Sequence, residues 1–360
     1  SSPTETEPQV NAMWSLLRCA RLWACIHSAS ALRQRHLQPE CDNLTELTAP
    51  KADELRGVGS DPGGETSANA TSASRRPPAT VFYLFLVKDD FEQEGIWVDF
   101  FDGQPRSEFV VLVHCTNRAT CMRTQRTDLF NVIDTVPSEY CQNLVNPTLA
   151  LLMSAKRWAE ELPNPRDPRH KFVLLSHNSV PVKPFKEAQR RLIEGKAGVA
   201  SFDWSYHCGG MKSSQWFVMS YSHVERALEA SGGPSPILNG SFAKEWIKYP
   251  GGCDSCADEQ FFITTLFGKN RSTLTHSTYW WIDWSDPTSG VMLDHGPMGP
   301  RSVIAFTPEG LCDLWRSEHL FLRKVKASAT FVPCGLAGPA GLRAAFRRRI
   351  FGSSSPCLEA

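Results

Sequence analysis

The stretch VFYLFLV, Val81–Val87, decides the fold. A strand with one wet face alternates apolar and polar residues, whereas an unbroken apolar run expects cover on both faces. Residues 109–114 (FVVLVH) and 171–175 (KFVLL) repeat the pattern. Helical patterns stand between them. Residues 95–102 place Ile96, Trp97 and Phe100 on one side, residues 147–162 form a long helix stopped by Pro163 and Pro165, and residues 184–194 form one ending at Gly195. Further on, residues 215–219 read as a short strand and the next segment as a helix to Ala230, stopped by Gly232 and Gly233. Residues 258–267 read as a helix and 302–306 as a last strand. Such alternation predicts an α/β fold, a mainly parallel sheet flanked by helices. In such sheets the site lies at the carboxyl ends of the strands, here followed by residues 88–90, 114–117 and 176–179.

Outside this core the composition changes. Residues 49–79 are rich in Gly, Ser, Thr, Pro and charge and cannot bury enough apolar surface to offset their ordering entropy. The expected organisation is therefore a tail and linker over 1–79, a folded domain over 80–330, and a solvated tail over 331–360 with the basic run Arg347 to Arg349. Lys+Arg and Asp+Glu balance at 38 each, which argues against a nucleic-acid binder. Residues 13–31, broken by Arg18 and Arg21, read as a weak signal sequence or as a plain amphipathic segment. Since the chain begins with Ser, a membrane anchor upstream is an open expectation. Sequons at Asn43, Asn69, Asn239 and Asn270 lean mildly towards the secretory pathway.

Four constellations could carry chemistry. Cys253 and Cys256 form a CxxC ahead of Asp258 and Glu259. Zinc would need two further ligands, and no second CxxC or paired Cys/His stands nearby, so structural cysteines or a disulfide are the better reading. Acids in a first helical turn complement the dipole, which is the plain reading of Asp258 and Glu259. Residues 301–324 begin with Arg301 and end with Arg323 and Lys324, cations that could converge on a diphosphate or simply face solvent. Lys212 to Phe217 (KSSQWF) leads small polar residues into an aromatic strand, where core packing alone would account for Trp216. Trp280, Trp281 and Trp284 around Asp283 are costly to solvate unless buried or bound. There is no Walker A loop, GxSxG elbow, HExxH or GxGxxG, and no Asp-x-Asp follows a strand.

In this order the segments FYLFLVKDD, IWVDFFDG, FVVLVH, KFVLLSHNSVPVKPF, KSSQWFVMS, CADEQFFITTL and WIDWSDP resemble glycosyltransferase family 14. That family holds the core-2/I-branching β-1,6-N-acetylglucosaminyltransferases, the peptide xylosyltransferases and a plant branch, which the KSSQWF segment resembles most. The resemblance spans roughly residues 81–325. It implies a GT-A-like fold and an inverting transfer from a UDP-sugar, with GlcNAc the expected sugar, to a glycan or glycoprotein hydroxyl. Glu259 falls on the family's general base, and Arg301 and Lys324 on its diphosphate-binding cations, with Arg323 an adjacent stand-in. Donor-nucleotide contacts fall near His114 and Asn117, although Thr116 stands where the animal branch has Asp. Trp216, Trp281 and Asp283 are candidates for acceptor binding. No metal or cofactor is implied, and the expected setting is the Golgi, with a type II anchor. A lectin-like module that keeps the aromatic cleft without catalysis is the alternative. A hydrolase using Asp258 and Glu259 is disfavoured, because neighbours on one helical turn point apart.

Overall fold

A computed structural model of the protein describes residues 77–124, 128–141, 143–194, 196–207, 210–231, 256–282, 291–294, 301–333 and 340–352. The first strands are β1 (Val81–Val87), β2 (Phe109–Cys115), β3 (Asn131–Val132), β4 (Lys171–Ser176), β5 (Val180–Pro181) and β6 (Ala200–Phe202). They are followed by β7 (Trp204–His207), β8 (Gly210–Ser213), β9 (Val218–Ser220), β10 (Leu274–His276) and β11 (Trp280–Ile282). The last are β12 (Val291–Leu293), β13 (Val303–Phe306), β14 (Phe321–Arg323), β15 (Val325–Phe331) and β16 (Ala340–Gly341). The helices are α1 (Glu94–Phe101), α2 (Arg118–Thr124), α3 (Val145–Glu160) and α4 (Phe185–Ile193), then α5 (Tyr221–Ala230), α6 (Ala257–Asn270), α7 (Pro308–Arg316) and α8 (Leu342–Arg349).

The protein is α/β. Its central sheet runs β10-β6-β9-β4-β1-β2-β3, with β1 parallel to both neighbours and Val81 in register with Phe109 and Lys171. Only β9 runs against its neighbours, β4 and β6. All seven residues of β1 are buried, as an unbroken apolar strand requires. The helix predicted over 95–102 is α1. Its Trp97 packs against Tyr83, Phe85, Phe100 and Phe101, and its indole N–H donates to the Ser179 carbonyl at 2.9 Å. A buried indole needs such a partner, and this one ties α1 to the loop after β4.

Two segments correct the sequence expectation. The strand predicted over 215–219 is limited to β9, and Gln215, Trp216 and Phe217 form its approach. The tail predicted over 331–360 holds structure: β15 continues to Phe331, and α8 packs on α1. Only Leu342, Ala345 and Phe346 of α8 are buried, so its average composition reads as polar. Their i, i+3, i+4 spacing nevertheless puts all three on one face. Phe346 is fully buried in a second core with Val303, Phe306, Leu322 and Val325. The arginines are partly engaged as well. Arg343 forms two hydrogen bonds to Asp99, at 2.7 and 2.8 Å, and Arg349 lies over Phe331. The helix α7, also unforeseen, carries its own start signal: Thr307 accepts from the Gly310 N–H at 3.2 Å, with Pro308 in the first turn. Among the described residues no helix is long and apolar enough to cross a membrane.

Candidate functional site

One cavity of about 410 Å³ gathers most of the predicted chemistry. It opens where several strands end. Asp203 follows β6, Ile282 ends β11 and Arg323 ends β14, and all three line it. Because β9 runs antiparallel, its approach brings Trp216 to the same edge. The carboxyl-edge rule for open α/β sheets is met only in part, since β11 and β14 belong to a separate three-stranded sheet and none of residues 88–90, 114–117 and 176–179 lines the cavity.

The acidic wall comes from α6. Its start is pinned covalently: Cys256, the residue before it, is disulfide-bonded to Cys141, and the Ala257 N–H donates to the Cys141 carbonyl at 3.3 Å. The expected oxidation of a CxxC cysteine therefore falls on Cys256, with a partner 115 positions away. Cys253 lies outside the described residues, and a second disulfide joins Cys115 to Cys121. Buried Phe261, Phe262, Ile263 and Leu266 fix the inner face of α6. Its first-turn acids then diverge. Glu259 is half-buried and meets Lys212 of β8, Oε2 to Nζ, at 2.8 Å. Asp258 turns inward and is 3% exposed, with Oδ1 lacking a hydrogen-bond partner. Burial, reinforced by the neighbouring Glu259 charge, pushes its carboxyl up to about 7.

The basic wall comes from the end of β14. The Arg323 guanidinium stands over the Trp216 ring, 4.4 Å from its centroid, and Nε donates to Ser176 Oγ at 3.2 Å. Ser176 ends β4 and is oriented by Asn178 and Ser179, at 2.8 and 2.7 Å. The loop predicted to matter after β4 therefore acts by holding Arg323. Part of the Arg323 side chain still faces the cavity, but the protein around the guanidinium removes enough water to lower its pKa to about 10. Lys324 also lines the cavity. Its pKa is lowered by burial and then by the adjacent Arg323 charge. Among the described residues neither cation has a carboxylate within 4.0 Å. Buried Trp280 and half-buried Trp204 complete the aromatic lining.

Of the residues singled out from sequence, the cavity brings together Glu259, Lys324 and Trp216, and with them Lys212, Asp258, Trp280 and Arg323. Arg301 is half-buried and does not line it. Its backbone does run beside the site, since the Val303 N–H two residues on donates to the Lys324 carbonyl at 2.7 Å. His114 and Asn117 lie elsewhere. His114 is 1% exposed, and its Nε2 accepts from the Val136 N–H at 3.1 Å. Burial lowers its pKa to about 4, so it stays neutral. The Asn117 side chain accepts from the Thr120 N–H at 3.2 Å and caps α2. Trp281 sits in β11, but its side chain and Asp283 fall outside the described residues. Sequence reasoning missed Lys212 as the partner of Glu259, although it opens the quoted KSSQWF segment, and weighed Asp258 only for the helix dipole and for a disfavoured hydrolase. Among the described residues no group of three His, Cys, Asp or Glu side chains converges as a metal site would require. No protein-family model matches this chain, and no curated protein matches it.

Proposed function

We propose that this chain is an inverting glycosyltransferase with a GT-A-like fold, moving a sugar from a UDP-sugar to a glycan or glycoprotein hydroxyl. One observation carries the reading: a carboxylate, Glu259, and two cations without carboxylate partners among the described residues, Arg323 and Lys324, line a single Trp-walled cavity. The chemistry needs both. A sugar hydroxyl is a weak nucleophile near neutral pH, so a carboxylate must take its proton as the new bond forms. In the proposed step the acceptor oxygen attacks the anomeric carbon and Glu259 accepts the proton. The bond to the nucleotide diphosphate breaks, and its electron pair leaves with the phosphate oxygen. That growing charge must be met by fixed cations or by a metal ion. The cations on the basic wall and the lack of an Asp-x-Asp in the sequence favour the first, so the transfer is proposed to be metal-independent. Lys212 holds the Glu259 carboxylate in place until the acceptor arrives.

GlcNAc is the proposed sugar, from the family resemblance alone. The same resemblance, with the disulfides at Cys115–Cys121 and Cys141–Cys256, supports a secretory or Golgi setting with an N-terminal anchor. The aromatic lining would also suit a lectin, but a neutral glycan gives no reason to keep two such cations beside a carboxylate. A two-carboxylate hydrolase is poorly supported, because Asp258 is buried beside Glu259 rather than facing it across a gap. A screen of UDP-sugars against a glycan panel, read as UDP release with and without EDTA, tests the proposal. Transfer that persists in EDTA is expected. A folded protein with no release from any donor would refute the transferase reading, and loss in EDTA rescued by Mn²⁺ would refute metal independence.

A further inference from the structure

We infer that Arg323, held over Trp216, is the principal anion-gripping residue of this cavity, and that Arg301 is not. The inference rests on the transferase reading for the identity of the ligand, a nucleoside diphosphate. The anion seat itself stands on the geometry of the wall.

The charges in the cavity pair unevenly. Lys212 is matched by Glu259, and Asp203, at the rim, lies 3.6 Å from His276. Asp258 is buried without a cation in salt-bridge range among the described residues, and its raised pKa leaves it substantially protonated near neutrality. Arg323 and Lys324 have no such match. A desolvated guanidinium is costly unless something compensates it. Here the Trp216 face and the Ser176 hydroxyl supply part of that, one through the ring quadrupole and the other through Nε. Both leave the terminal nitrogens uncommitted: among the described residues neither takes part in a hydrogen bond. An Arg anchored through Nε, with its outer pair of nitrogens unused at a cavity wall, has the fork that phosphate oxygens accept from. Lys324, next in the chain, adds a point charge on the same wall.

The anchor is itself built in. Ser176 Oγ donates to Asn178 Oδ1, and the Asn178 carbonyl accepts from the Val325 N–H at 2.9 Å. The turn after β4 therefore clasps both the side chain of Arg323 and the backbone just beyond Lys324. A surface arginine that happened to face a cavity would lack this support. Arg301, by contrast, lies outside the cavity lining.

The test is calorimetric titration of the full chain with UDP and with inorganic pyrophosphate. Arg323→Ala is expected to weaken both ligands by at least 30-fold, and Arg323→Lys by about tenfold, since charge returns without the fork. Ser176→Ala should cost several-fold through loss of the anchor, and Arg301→Ala no more than threefold. Circular dichroism establishes folding. If Arg323→Ala does not fold, the Lys and Ser176 variants decide. Pyrophosphate affinity unchanged in folded Arg323→Lys and Ser176→Ala, or an Arg301→Ala loss equal to that of Arg323→Ala, overturns the inference. Arg323-dependent pyrophosphate binding without any sugar transfer would uphold the seat and remove the transferase reading. Wild-type transfer and UDP affinity in Arg323→Ala would do the reverse.

Discussion

Replacing Asp258 by Asn gives a test of the acidic wall in which the expected size follows from the structure. The side chain is 3% exposed, and its carboxyl is raised from 3.8 to about 7, first by burial and then by Glu259. Between those two values the folded protein holds a proton that the unfolded chain has released. Stability must then fall as pH rises, because unfolding at higher pH is favoured by the state that binds fewer protons. A displacement of about 3 units, at 1.36 kcal/mol each, corresponds to about 4 kcal/mol. The loss begins near pH 4, is complete just above pH 7, and is absent below pH 4, where both states are protonated. Asn has the same shape and cannot ionise, so the variant should lack this slope. Urea unfolding of both proteins, disulfides intact, at pH 4, 5.5, 7 and 8.5 gives the difference directly. Subtraction removes titrating groups that the substitution leaves alone. The Asn variant should gain on the wild type by about 4 kcal/mol from pH 4 to pH 8.5. A difference that stays within about 1 kcal/mol, a single-unit shift, or that runs the other way, refutes the account of a buried, neutral acid.

Three further outcomes are expected. Glu259→Gln should lower UDP release by roughly two to four orders of magnitude while leaving UDP affinity nearly unchanged, because the amide cannot take the proton; near-wild-type turnover would remove Glu259 as the base. Phe346→Ala should cost about 3–5 kcal/mol in chemical denaturation, the range for emptying a buried aromatic site, and a change under about 1 kcal/mol would show that α8 is not part of the folded core. Non-reducing peptide mapping should recover Cys141 linked to Cys256, and losing that link by Cys141→Ser should cost about 4–5 kcal/mol, the loop-closure range for so long a separation; a free thiol at Cys256 in protein purified without reductant would contradict the pinned start of α6.

The sequence by itself determined the layers of this protein. Three unbroken apolar runs could only be strands covered on both faces, and the helical patterns between them could only supply the cover. Ile96, Trp97 and Phe100 were legible as one helical face for the same reason: periodicity is local. Glu259 stood out as a candidate through the resemblance alone, since an acid in a first helical turn has a plain dipole reading. What the sequence could not determine is which charges meet. Arg301 and Arg323 look alike as letters, and the resemblance pointed to Arg301 and Lys324, with Arg323 only an adjacent stand-in. Only the parallel pairing of β11 with β14 and the clasp from Ser176 put Arg323 on the cavity wall and left Arg301 off it. The same holds for the opposite wall, where Lys212 reaches Glu259 across 47 positions only because the β7–β8 hairpin folds over α6. The tail was misread because the four arginines of α8 dominate its average, yet the spacing of Leu342, Ala345 and Phe346 suffices once a second core waits to receive them. Periodicity is written along the chain within a few residues, whereas charge pairing and desolvation depend on neighbours that only the closed fold supplies.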